Sequence, residues 1–217
     1  MAATMQQMNS REEWLAKRNS YIGGSDASAI VGMNPYKNNV ELWQEKTGRR
    51  VAEDISGKDV VKYGHDAEPY LRELFALDFP EYELGYVENN IWMNSKYPFG
   101  HASLDGWLHD QDGRLGILEI KTTSILQSMQ KEKWRGRIPD NYYIQILHYM
   151  LILEADFAVL KAQLKYDYDG EISLTTKHYF IERKEVEADI DYLMKAEQRF
   201  SDHINADTEP ALILPNI

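Results

Sequence analysis

Gly116-Ile117-Leu118-Glu119-Ile120-Lys121 is an apolar run that carries one acid and one base two residues apart. Upstream of it stands Phe99-Gly100-His101-Ala102-Ser103-Leu104-Asp105-Gly106-Trp107-Leu108, and between the two Asp110-Gln111-Asp112-Gly113 is a turn signal. The pair reads as a β-hairpin. Side chains alternate faces along a strand, so Glu119 and Lys121 point the same way and Ile120 the opposite way. Asp105 on the first strand then meets an acid and a base on the second. Such a trio suits a hard divalent cation beside a cationic amine, the chemistry of metal-assisted phosphodiester hydrolysis. A surface hairpin with a charged solvent face would carry the same trio. Against that bland reading, Leu104, Ile117 and Leu118 mark buried strands, where an unpaired acid is costly and a bound metal offsets the cost.

Outward from the hairpin, short helices come first. Residues 10–18 form one, with Ser10 as N-cap and Glu13 completing a capping box. Gly23-Gly24 breaks it, and a second helix runs from Ser25, its N-cap, to Val31. Residues 40–46 form a third, ended by Gly48; residues 50–59 are a polar loop. Helical spacing resumes over 59–77, with Val60, Val61, Leu71, Leu74 and Phe75 as the apolar stripe. Residues 82–93 read as one or two strands. After the hairpin come a helix over 140–154 with Tyr143, Ile146, Leu147, Met150 and Leu151 at core spacing, strands at 157–164 and 178–183, and an amphipathic helix over 185–205. The order predicts an α/β fold, a central mixed β-sheet flanked by helices. No linker divides the 217 residues, so the expectation is a single domain: N-terminal helices at 10–78, sheet and helices at 82–205, tail at 206–217.

Composition narrows the function. Hydrophobic residues make up 43% and aromatic residues 12%, a globular balance. No apolar run approaches the ~20 residues of a membrane span, and residues 1–10 lack the pattern of a signal peptide, so no membrane association and a cytoplasmic location are expected. The chain has no cysteine, which excludes disulfides, thiolate zinc sites and iron–sulfur clusters. A net charge of −11 argues against general polyanion binding but leaves room for local basic spots. One is Lys131-Glu132-Lys133-Trp134-Arg135-Gly136-Arg137. It is either a solvated charged loop or a DNA grip, in which Lys131, Lys133, Arg135 and Arg137 hold phosphates and Trp134 stacks a base.

Three further elements join the trio. Glu68 lies between Gly64 and Pro69, unusual neighbours inside a helix, where a bend would aim it at the metals; otherwise it is an exposed helical acid. His65 beside it is a weaker ligand candidate. Gln145 and Tyr149, four residues apart, share a helical face and either border the apolar stripe or reach a phosphate and its water. Gly23-Gly24-Ser25 presents backbone N–H groups and a hydroxyl, with Arg18 available for a phosphate.

These residues fall into blocks that carry a resemblance. In order they are Arg18-Asn19-Ser20-Tyr21-Ile22-Gly23-Gly24-Ser25-Asp26, Asn34-Pro35-Tyr36, Glu41-Leu42-Trp43, Gly64-His65-Asp66-Ala67-Glu68-Pro69, Gly100-His101-Ala102-Ser103-Leu104-Asp105-Gly106, Leu118-Glu119-Ile120-Lys121-Thr122-Thr123 and Tyr143-Ile144-Gln145-Ile146-Leu147-His148-Tyr149. The chain resembles the phage alkaline exonucleases of the lambda-exonuclease (YqaJ-like viral recombinase) type, within the PD-(D/E)XK nuclease superfamily. The resemblance implies a restriction-endonuclease-like core. It implies a Mg²⁺-dependent enzyme, with Mn²⁺ as substitute, that degrades one strand of linear duplex DNA from the 5′ end and leaves a 3′ overhang. It also implies a toroidal homotrimer and a single-strand annealing protein as partner in phage recombination, hence a bacterial host cytoplasm.

Carried over by position, Asp105, Glu119 and the Ile120 carbonyl would ligate the metal. Lys121 and Gln145 would serve the water and scissile phosphate, with Glu68 at the outer edge. Arg18, Ser25 and Ser103 would hold the terminal 5′-phosphate. Some relatives split the duplex with an apolar wedge; the loop at 50–59, with Val51 and Ile55, is the candidate here. Two other readings stand beside this one: an endonuclease on the same fold, and a non-catalytic DNA-end-binding module.

Overall fold

Strand β5, Leu115–Ile125, is the axis of the molecule. In this computed structural model, which describes residues 3–126, 128–168 and 170–214, its side chains alternate between two apolar clusters. Leu118 and Ile120 join Leu71, Phe75 and Val159 on one face; Ile117 and Ile125 join Ile144, Leu147 and Leu160 on the other. A strand buried on both faces needs a layer on each side. Helix α4 (Asp59–Asp78) covers the first face and α6 (Asp140–Leu153) the second.

The sheet has five strands in the order β2-β4-β5-β6-β7. Here β2 is Glu83–Gly85, β4 Gly106–His109, β6 Phe157–Tyr168 and β7 Glu171–Glu182. β5 and β6 run parallel and the other pairs antiparallel. A parallel pair needs a crossover, which α6 and the short helix α5 (Ser128–Lys133) provide. The expected α/β class and mixed sheet are therefore observed. Around this core lie α1 (Arg11–Asn19), α2 (Gly24–Ile30), α3 (Asn39–Lys46) and α7 (Arg183–Asn205), which packs on α6.

The hairpin is shorter on one arm and longer on the other than the pattern suggests. β4 begins only at Gly106. Residues 99–105 spend their backbone bonds elsewhere: His101 N–H donates to Ile22 O (2.9 Å), and Ala102 exchanges bonds with Trp92. Asp105 thus stands just before the strand, not in it. β5 continues past Lys121 through Thr122-Thr123-Ser124, paired throughout with β6. Likewise β6 and β7 form one long hairpin where shorter strands at 157–164 and 178–183 were expected.

Other differences are local. Gly23 caps α2, with its N–H on Asp26 Oδ2 (3.1 Å), so Ser25 is one residue inside the helix and exposed. Ser10 caps α1 as expected, accepting from Glu13 N–H, but Glu13 reaches back to Asn9 N–H rather than Ser10. In α4 only Leu71 and Phe75 are buried, whereas Val60 and Leu74 lie exposed; the helix packs on the sheet through its C-terminal half. It runs unbroken through Gly64 and Pro69. A strand β1 (Thr4–Gln7) pairs with β3 (Asn90–Met93). All four β1 residues are exposed, so it has no hydrophobic alternation to betray it. In the tail, Ala211 O and Ile213 N–H bond the Asn39 side chain, which docks it on its own chain; Pro215 lies outside the described residues.

Candidate active site

β4 stops pairing with β5 at the Gly106–Leu118 step. Beyond it the β4-facing edge of β5 is free of any strand among the described residues. Ile120 is the first residue on that edge to face an open space. Its N–H donates to Asp105 Oδ2 at 2.8 Å. The N–H and C=O of one strand residue point to the same side, so the Ile120 carbonyl faces this edge as well. The late start of β4 thus opens a gap into which the Asp105 carboxylate folds.

Glu119 is 1% exposed and points toward α6. Its Oε1 accepts from Lys121 Nζ and from Gln145 Nε2 (2.7 Å), while Oε2 has no partner among the described residues. Gln145 is also 3.0 Å from the Tyr149 hydroxyl. Glu68 approaches from α4, ion-paired with Arg72. The Arg72 Nε donates to the Asp105 carbonyl (2.5 Å), and its guanidinium lies over the Tyr86 ring at 3.3 Å. Arg72 therefore ties Glu68 to the backbone of Asp105. The i, i+4 spacing of Glu68 and Arg72 was the available sequence signal for it.

The charges explain the electrostatics. Burial, reinforced by the Asp105 charge, pushes the Glu119 carboxyl up to about 8. Burial and then Asp105 push Glu68 up to about 7. Burial also raises Asp105, against the pull of Lys121 and the Ile120 N–H. Burial works against the Lys121 ammonium, but Glu119 and Asp105 more than offset it and hold its pKa above the ordinary lysine value. Three acids thus crowd a low-dielectric site whose nearest ammonium is shared. The donor set fits a hard divalent cation: a carboxylate oxygen left without a partner, a second carboxylate beside it, and a backbone carbonyl on the same edge. Among the described residues no three His, Asp or Glu side chains converge into a ready metal cage, so such an ion would lean on the carbonyl and on water.

The terminal-phosphate candidates border this centre from three directions. Gly24 lies flat against it: a Cβ there would stand 2.6 Å from Tyr149 Cε1 and 2.9 Å from Gln145 Cγ. That close approach puts Ser25, the next residue, beside the Gln145–Tyr149 face. Arg18 rests on the Trp14 ring, 4.1 Å from its centroid, and its charge reaches Asp105 and Tyr149. Ser103 is two residues from Asp105, but its hydroxyl donates to Asn90 O at 2.9 Å, and a phosphate would have to displace that bond.

The basic segment divides. Lys131, Lys133, Arg135 and Arg137 are exposed. Trp134 is not available to a base: it is 2% exposed, packed against Tyr142 and Tyr179, and its carbonyl accepts from Lys177 Nζ and the Tyr179 hydroxyl. The turn that follows α5 carries Trp134 inward while the cations stay wet. His65 is exposed, 3.8 Å from Asp66. In the loop at 50–59, Val51 and Ile55 are exposed.

A buried pair escaped the sequence reading. His148, between Gln145 and Tyr149 on α6, bonds Glu197 of α7 through Nδ1 (2.7 Å) and the His101 carbonyl through Nε2 (2.9 Å). Both side chains are fully buried. The pair clamps α7, α6 and the segment leading to Asp105 together. A lone Glu on a long polar helix gave no sign of it.

Comparison with known proteins adds an independent line. Residues 13–156 match the model of the YqaJ-like viral recombinase domain. The protein called uncharacterized protein YqaJ of Bacillus subtilis (strain 168) is 33% identical over 215 residues, covering 94% of this chain. The chain spans 59% of that relative's length. Among solved structures, an alkaline exonuclease (LHK-Exo) from Laribacter hongkongensis superposes with a TM-score of 0.61 at 17% identity, covering 90% of this chain and 95% of that one. A phage related exonuclease from Haemophilus somnus 129PT superposes with a TM-score of 0.53 at 17% identity, covering 86% and 96%. At that identity the likeness shows the fold, the restriction-endonuclease-like core.

Proposed function

The chain belongs to the YqaJ-like viral recombinase family, and from that premise we propose that it is a divalent-metal-dependent deoxyribonuclease. In this reading it removes nucleotides from the 5′ end of one strand of linear duplex DNA and leaves a 3′ overhang. The observation that carries the proposal is Glu119, bonded to Lys121 and Gln145, beside Asp105 at the free edge of β5, with the Glu68 charge felt by both acids. Exonuclease neighbours of the same fold, one also solved in complex with dAMP, support it.

Asp105, Glu119 and the Ile120 carbonyl would hold Mg²⁺ or Mn²⁺. When bound, the ion supplies charge neutralisation at the scissile phosphate and a more acidic water. The residues do the rest. The Ile120 N–H fixes one Asp105 oxygen and leaves the other free to turn outward. Glu119, ionised, offers its unpartnered Oε2. Lys121 then exchanges its bond to Glu119 for the charge that develops on the phosphate. The Gln145 amide, steadied by Tyr149, orients the attacking water, and Arg72 keeps Glu68 at the rim.

Arg18, Ser25 and Ser103 would hold the terminal 5′-phosphate; Lys131, Lys133, Arg135 and Arg137 would bind the duplex backbone. A homotrimeric ring around DNA and a single-strand annealing partner follow from the family resemblance. Sedimentation of the purified protein tests the former. The decisive experiment is digestion, with Mg²⁺, of linear duplex carrying one 5′-phosphate and one 5′-hydroxyl end, against a covalently closed circle. Faster degradation from the phosphorylated end is expected. Rapid cutting of the circle would instead identify an endonuclease. No metal-dependent cleavage of either would leave a DNA-end-binding module.

A further inference from the structure

A cleft of about 350 Å³ opens along β5 immediately past Lys121. It is lined by Thr122, Thr123 and Ser124 of β5, Lys165 of β6, and Asp59, Val60 and Tyr63 at the start of α4. The register explains the lining. Thr122 pairs with Gln163 and Ser124 with Lys165, and paired residues share a face, so these four project toward α4. α4 lies close against β5 at Gly64, where a Cβ would stand 3.1 Å from Thr122 Oγ1. N-terminal to that pinch the two elements part, and the cleft lies between them. One turn past it in the other direction stands Glu68.

The chemistry of the lining is that of a sugar–phosphate backbone site. Two hydroxyls, Thr122 and Ser124, stand along one wall. The backbone N–H groups of both face the free edge, on the same side as Ile120. Among the described residues Lys165 has no carboxylate partner; its ammonium rests 5.1 Å from the Tyr63 ring. Tyr63 is held in place by its hydroxyl on Gln163 Oε1 (2.7 Å) and keeps its ring partly exposed. Asp59 is the one acid in the lining and directs a phosphate to the opposite, Lys165 side. The cleft begins at Thr122, one residue beyond Lys121 along β5, on the α4 side that also carries Glu68.

We propose that this cleft seats the nucleic-acid strand next to the scissile phosphate, with a phosphate on Lys165 and Ser124 and a sugar or base against Tyr63. The proposal rests on the nuclease reading for its role, but its binding claim is measured separately. Labelled single-stranded oligonucleotide is titrated by fluorescence anisotropy in EDTA, where a metal-dependent enzyme does not cut, across a range of salt. Lys165→Gln and Ser124→Ala are each compared with the unaltered chain, after circular dichroism has matched their folds. Lys165→Gln weakens binding about tenfold and lowers the slope of log Kd against log salt by about one phosphate contact. A merely structural change would not move that slope.

With Mg²⁺, the KM for 5′-phosphorylated linear duplex DNA rises, while hydrolysis of bis(p-nitrophenyl) phosphate, too small to reach the cleft, stays within about twofold. Unchanged binding and salt slope in both variants would overturn the proposal and leave the nuclease reading intact. A parallel loss on the small diester would also overturn it, by placing the effect at the catalytic edge. If the unaltered chain cleaves neither substrate, the nuclease reading falls and the anisotropy alone decides the cleft.

Discussion

Two buried acid–base pairs sit on either side of α6, and they are built alike. Glu119 with Lys121 faces the sheet edge; Glu197 with His148 faces α7. In each the acid is almost wholly buried, and in each one carboxylate oxygen lacks a partner among the described residues. An orphan oxygen is therefore not a mark of function by itself. The surroundings differ. Glu197 and His148 are fully sealed, and the remaining His148 nitrogen is spent on a backbone carbonyl. Glu119 shares its space with Asp105 and Glu68, and Lys121 and Glu68 keep 21% and 28% of their side chains exposed. One pair holds three segments together; the other concentrates acid beside a way in.

That contrast predicts opposite responses to similar substitutions. Glu119→Gln, which retains shape and an acceptor for Lys121, should lower metal-dependent DNA cleavage by about 10³-fold or more and leave the thermal midpoint unchanged or higher. Assay of both on one preparation checks it, and cleavage within tenfold of the original would break the site assignment.

Glu197→Ala should do the reverse. Stripping one partner from a buried pair costs about 3–5 kcal/mol, read from urea unfolding. Activity per folded molecule at low temperature should change far less. A variant of normal stability and no activity would move this pair into the catalytic machinery.

A third test uses pH. Glu119 and Glu68 have folded pKa values raised to about 8 and about 7 above ordinary values near 4.5. The folded chain then binds protons that the unfolded chain has released. Their contribution is fully present below about pH 4.5 and is lost as pH rises to about 8. The metal-free protein should lose thermal stability across that window, and Mg²⁺ should restore more of it at pH 9 than at pH 6. In Glu119→Gln both the loss and the restoration should shrink; a full effect there would place the titrating acid elsewhere.

The smallest effect belongs to the terminal-phosphate candidates. Arg18→Ala should slow phosphorylated ends by about tenfold and unphosphorylated ends hardly at all. An unchanged rate on phosphorylated ends would remove Arg18 from the site.

The alternation of Glu119, Ile120 and Lys121 along one strand, the i, i+4 pair of Gln145 and Tyr149, and the Gly-Gly step before Ser25 are legible in the chain itself. Each rests on a fixed local repeat, two residues per strand period or about 3.6 per helical turn. The α/β order of elements is legible for the same reason, because buried strands and amphipathic helices carry their periods in the residues. Where β4 ends, and so where Asp105 stands, is not: that depends on Ile22 and Trp92, far away in the chain, taking the backbone bonds of residues 99–105. Nor was the fate of Trp134, the clamp of His148 by Glu197, or the cleft between the start of α4 and β5. Residue order determined which side chains share a face. Only the tertiary structure decided which faces meet, because burial and hydrogen-bond completion are settled among all segments at once.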